Sequence, residues 1–212
     1  MTRILAIADE VDEALYTDEL KRLRPDLVVS AGDLPFDYLE NIVSRLDVPL
    51  VYVPGNHDPE LSTSDRTWTP LGAEPPEQGP LGCVNADGRV VVAAGLRIAG
   101  LGGSMRYNRG PNQYTSSQMR RRALSLAIRV KLNPARASRK VDLILTHAPP
   151  LGWGSQDDLA HRGFAAFLPL VRDLAPKVLI HGHLHSYGRG KPERSLGTTQ
   201  IINAVPYKLV EV

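Results

Sequence analysis

Five short segments concentrate the side chains best able to bind a divalent cation. Asp9 closes an apolar run, Asp33 follows Leu27-Val28-Val29-Ser30, and Asn56-His57-Asp58 follows Leu50-Val51-Tyr52-Val53. His147 ends a later apolar run, and His183 with His185 follows Val178-Leu179-Ile180. Imidazole, carboxylate and amide oxygen together suit zinc, iron or manganese rather than calcium. His183 and His185 are two apart, so in extended chain they face the same side. Glycine opens three of the segments, as Gly32-Asp33, Gly55-Asn56-His57-Asp58 and Gly182-His183-Leu184-His185. It permits the tight turn that brings backbone and side chains together. Five of the six histidines lie in or beside these turns, an order that points to one site.

The elements that must position these residues alternate. Residues 4–8, 27–30 and 49–53 are apolar and β-branched, hence buried strands, and 13–23 and 36–46 carry helical stripes between them. That spacing argues βαβ units and a parallel sheet, an α/β fold. In such sheets ligands bind outside the carboxyl ends of strands, where all five segments fall. Residues 59–82 form a long loop, 89–93 and 96–101 a hairpin, 116–131 a basic helix and 164–174 a further helix. Strands return at 141–146, 178–180, 200–205 and 207–210. No repeat, low-complexity segment or linker interrupts the chain, so one domain over 1–212 is expected.

Composition narrows the class. The 212 residues are 42% hydrophobic and 23% charged, which excludes a disordered or fibrous chain. Cys83 alone excludes a disulfide framework or a cysteine zinc site and fits a reducing compartment. No apolar run reaches the ~18 residues of a membrane helix, and Asp9 ends the first run too early for a signal peptide. A cytoplasmic protein without a membrane partner is expected. Net charge is +2, but between Asp87 and Asp142 there is no acidic residue and twelve of the 25 Lys and Arg. That asymmetry suits either an anionic partner or a solvated basic helix face.

The ordered blocks Gly32-Asp33, Gly55-Asn56-His57-Asp58, Thr146-His147 and Gly182-His183-Leu184-His185, with Asp9 ahead of them, resemble the calcineurin-like metallophosphoesterase family. The resemblance spans residues 4–187. It implies a four-layer α/β/β/α sandwich with two mixed sheets, and two divalent ions (Mn, Fe or Zn) between the strand ends. In that pattern Asp33 bridges both ions, Asn56, His147 and His183 complete one shell, and Asp9 and His185 hold the other. His57 then acts on the leaving group or the scissile phosphate, and Asp58 orients His57. The implied reaction is hydrolysis of phosphate esters, phosphodiesters above monoesters, by a metal-activated hydroxide.

One block departs from the family. Its first motif is usually Asp-x-His, whereas here it is Asp9-Glu10-Val11. Valine cannot ligate, so that ion loses an imidazole. In an extended strand Glu10 points away from the rim, leaving Asp12, Glu13 or water to complete the shell. Arg106, after Gly102-Gly103-Ser104, is a candidate phosphate contact, and His161, with Asp157 and Asp158 nearby, a second substrate contact. His181 is assigned a structural role, while Trp68 and Trp153 either wall a pocket or pack. Two other functions stay open: a metal-poor binding scaffold, favoured by Val11, and a nuclease using Arg120-Arg121-Arg122, Arg129 and Lys131. The substrate is accordingly a phosphate-ester small molecule or nucleotide, with nucleic acid as the alternative.

Overall fold

The computed structural model describes residues 1–61, 79–132, 140–153, 158–185 and 194–212. Among them are thirteen strands, β1 to β13, and four α-helices, α1 to α4. Strands β1 (Arg3–Ile7), β2 (Leu27–Ser30), β3 (Leu50–Tyr52) and β4 (Cys83–Asn85) run parallel in that order. The last strand, β13 (Tyr207–Glu211), adds antiparallel to β1, with Leu5 opposite Leu209. A second sheet has the order β11-β12-β10-β9-β6-β5. Its parallel centre is β6 (Leu96–Leu101), β9 (Leu143–Thr146), β10 (Val178–His181) and β12 (Thr199–Asn203). Its antiparallel edges are β5 (Val90–Ala93) and β11 (Arg194–Leu196). A short pair, β7 (Ser104–Met105) with β8 (Gln113–Tyr114), stands apart.

Side-chain alternation along the strands assigns the layers. Ile4 and Ala6 on β1, with Ala8 just beyond it, face the second sheet and meet Ile98, Leu145, Ile180 and Ile202 in a core between the sheets. Leu5 and Ile7 face the other way, onto Leu15, Leu20, Tyr38 and Ile42 from α1 (Glu19–Leu23), α2 (Phe36–Arg45) and the turn before α1. The outer face of the second sheet, with Ala99, Ile144 and Leu179, is covered by α3 (Ser116–Leu132) and α4 (Phe167–Leu174). The result is the expected α/β/β/α sandwich. The central strands of both sheets are buried on both faces, which is why β1, β2, β3, β9 and β10 are mostly apolar.

Several elements differ from the sequence expectation, among them the unforeseen strands β7, β8 and β11. The helix expected over 13–23 is two pieces, because Asp12 caps a 3-10 turn (Glu13–Tyr16) and the Thr17 hydroxyl closes it on the Ala14 carbonyl. The helix expected from 164 starts at Phe167, since Phe164 is bridged to Pro150 through backbone hydrogen bonds. Strand β4 was hidden by its short, half-buried edge position. No helix among the described residues is long and apolar enough to cross a membrane.

The basic helix α3 spends much of its charge internally. Arg122 reaches both carboxylate oxygens of Asp87 (2.5 and 2.6 Å), donates to the Gly102 carbonyl and lies 4.1 Å over the Tyr114 ring. Arg129 donates to the Gly88 carbonyl and Lys131 pairs with Asp173. Arg122→Ala is expected to cost about 2 kcal/mol, read as a Tm lowered by roughly 4–8 °C. An unchanged Tm would show the pair to be ornamental.

Candidate metal centre

Each ligand-type residue sits where a parallel strand ends, and three do so in an unusual backbone conformation. Asp9 (φ 62°), Asp33 (φ 57°) and His183 (φ 65°) are left-handed, a region that side chains seldom adopt without compensation. That twist turns each side chain out of the strand direction and into the gap between the sheets. Two glycines make room. A Cβ on Gly55 would fall 2.0 Å from Asp33 Oδ1, and one on Gly182 would fall 2.4 Å from Asp9 Oδ2.

The centre is His147, fully buried at the end of β9. Its Nδ1 donates to the Ala31 carbonyl at 2.7 Å, which turns Nε2 inward. There Nε2 meets Asn56 Oδ1 at 3.0 Å, His183 Nδ1 at 3.0 Å and Asp33 Oδ2 at 3.3 Å. His183 is oriented in the same way, since its Nε2 donates to the Ala160 carbonyl at 3.0 Å. Asn56 donates its amide to the Tyr107 hydroxyl at 3.2 Å, so its oxygen faces the centre. The ligand atoms of Asp9, Asp33, His147 and His183 all lie within 4.8 Å of one another. Two imidazole lone pairs, carboxylate oxygens and an amide oxygen therefore converge, and acceptors that crowd together need a shared positive charge. The donor set fits a divalent transition metal.

The electrostatics of the cluster make the same demand. Burial lowers the His147 pKa, but the hydrogen bond and charge of Asp33, with Asp9, overcome it and raise it from 6.5 to about 9. His183 is pushed down to about 3 by burial and then by the His147 charge, and stays neutral. Burial also pushes Asp9 up, whereas in Asp33 the His147 interaction outweighs burial and brings its pKa down. An entering cation must displace the proton on His147. Affinity is therefore expected to rise about tenfold per pH unit through neutral pH and level off above about 9. Calorimetric titration with Mn²⁺ across that range checks it, and a flat profile would contradict it.

The remaining expected residues are placed as follows. His57 is exposed, and its backbone N–H donates to Asp33 Oδ1 at 2.7 Å. Asp58, expected to orient His57, instead accepts from the backbone N–H groups of Gly55 (2.7 Å) and Asp33 (3.0 Å). Buried there, it fixes the turns that present Asp33 and Asn56. Glu10, expected to face away, turns toward the rim, because the left-handed Asp9 breaks the strand alternation, and it meets His185. Asp12 caps the turn after β1, its Oδ1 accepting from the Ala14 N–H. Arg106 is exposed and donates to the Gln113 carbonyl and the Gln118 side chain, and its neighbour Tyr107 is the residue that touches Asn56. His161 stacks on His183 (centroids 4.9 Å, 29°) and is gripped by Asp158 at 2.8 Å. His181 is buried, as its structural assignment requires, with Nδ1 on the Gly182 carbonyl. Trp153 packs against the α3 and α4 layer, with Arg194 over its ring. Trp68, Asp157 and Tyr187 lie outside the described residues.

Tyr107 and the carbonyls of Ala31 and Ala160 were not anticipated. A backbone carbonyl has no residue signature, and Tyr107 could have been suspected only from the Gly102-Gly103 turn that precedes it.

A family model for calcineurin-like phosphoesterases matches residues 3–187. Among curated proteins no sequence matches the chain. One crystal structure superposes with a TM-score of 0.64 at 17% identity, covering 96% of this chain and 90% of that one. The crystal structure of TT1561 of Thermus thermophilus gives 0.62 at 17% identity, covering 96% and 88%. At these identities the likeness is one of fold.

Proposed function

The chain belongs to the calcineurin-like phosphoesterase family, and from that premise we propose that it is a cytoplasmic, manganese-dependent phosphodiesterase with a two-ion site. Family membership and the ligand cluster support a metal-dependent phosphoesterase. The observation that carries the reading is the convergence of Asp9, Asp33, His147 and His183, with Asn56 completing the ring around Nε2 of His147. Bound there, divalent cations supply a nucleophile at neutral pH and neutralise phosphoryl charge.

The protein's own groups do the rest. The carbonyls of Ala31 and Ala160 hold the two imidazoles in one tautomer, so neither must reorient during a turnover. Asp58 holds the backbone of Asp33 and Gly55, and His57 rides on that same turn. Being exposed, His57 is accessible to substrate at the rim and donates a proton to the departing alkoxide. An alkoxide is a poor leaving group, so this proton matters most for diesters of ordinary alcohols. Tyr107 and His161 border the centre from two loops and contact the ester, and Arg106 is at most an outer contact.

Arg122 and Arg129 are engaged within the fold, which takes them from the nuclease reading, while Arg120 and Arg121 are exposed. The test is hydrolysis of bis(p-nitrophenyl) phosphate and p-nitrophenyl phosphate with Mn²⁺, Zn²⁺ or Mg²⁺. Turnover of the diester above the monoester is expected. Turnover of neither, with any ion, would favour a binding scaffold.

A further inference from the structure

Glu10 was expected to point outward and instead stands at the rim. Asp9 is left-handed, and the Glu10 N–H closes a tight turn onto the Ala8 carbonyl at 2.6 Å. The turn carries the Glu10 carboxylate to His185, with Oε1 2.6 Å from Nδ1. His185 lies two residues beyond His183, whose backbone N–H donates to Asp9 Oδ2 at 2.8 Å. Asp9 thus ties the buried cluster to the turn that carries His185, and His185 in turn meets Glu10. Val11 offers no donor atom, and Oδ1 of Asp12 accepts from the Ala14 N–H.

We propose that Glu10 is the ligand that takes the place of the absent imidazole, holding the second cation together with His185 and Asp9. This rests on the phosphoesterase reading of the neighbouring cluster. The two sites are chemically unequal. The inner one has two imidazoles and is buried, a set that suits zinc or iron. The outer one exchanges an imidazole for a carboxylate, which shifts preference toward manganese or magnesium and lowers the net charge of the centre by one. Its side chains are open, Glu10 45% and His185 37% exposed, so its ion exchanges with solvent while the inner ion is retained.

The test uses the full chain, stripped by chelator dialysis and titrated with Mn²⁺ under electron paramagnetic resonance. Wild type is expected to show two classes of site. Glu10→Gln keeps the tight class and weakens the other at least ~10-fold, since even indirect supports of a ligand are worth 10–100-fold. The double variant Glu10→Gln with Val11→His restores a second class that prefers Zn²⁺ to Mn²⁺. Thermal melts with and without ion confirm that each variant is folded. If Glu10→Gln leaves both classes unchanged, or wild type has the tight class alone, the proposal is overturned while the inner site stands. If wild type takes up no Mn²⁺, the reading beneath it falls as well.

Discussion

Asp33→Asn is expected to reduce metal-dependent phosphoester hydrolysis about 10³-fold and to weaken the inner ion by a similar factor. The carboxylate does two things that an amide cannot. Its Oδ2 lies 3.3 Å from His147 Nε2 within the cluster, and its hydrogen bond, then its negative charge, are the strongest influences that oppose burial and raise the His147 pKa to about 9. A loss of 3–4 kcal/mol in charge stabilisation translates into roughly 10²–10³ in rate. The backbone hydrogen bond from Asp33 to Asp58 is untouched by the change, so the fold is expected to survive. Metal content by mass spectrometry and initial rates read the two effects together. Full activity with full metal content would remove Asp33 from the centre.

His57→Ala is expected to give the opposite signature, with metal content unchanged and catalysis impaired. The side chain is exposed and the link to Asp33 runs through the backbone N–H, which alanine keeps. If His57 protonates the leaving oxygen, the loss depends on that oxygen. A p-nitrophenolate leaves readily and needs little help, so the loss on that ester is ~10-fold or less. On an alkyl diester it reaches 10²–10⁴-fold, the usual range for general acid catalysis. An equal loss on both esters would mean that His57 binds phosphate and moves no proton.

The fold was legible because its strands are buried on both faces. Ile4 to Ala8 and Val178 to Ile180 have nowhere to alternate, so the apolar runs are plain in the sequence, and the turn after each names a ligand type. Asp33, Asn56, His147 and His183 meet as their strand-end positions suggest. What could not be read is what the backbone does at those ends. Glu10 was misassigned because strand alternation was carried past Ala8, and the left-handed Asp9 ends it. Asp58 was assigned to its neighbour's ring, yet two backbone N–H groups across the turn claim it first. Arg106 was chosen for its charge, and its hydrogen bonds to Gln113 and Gln118 had no signal in the sequence. Local periodicity does not encode such tertiary hydrogen bonds.

The most direct measurement is an anomalous difference map from crystals grown or soaked with Mn²⁺. A peak is expected within coordination distance of His147 Nε2, His183 Nδ1 and oxygens of Asp33 and Asn56. Crystals that diffract well and show no peak there, or a peak on surface carboxylates alone, would contradict the account.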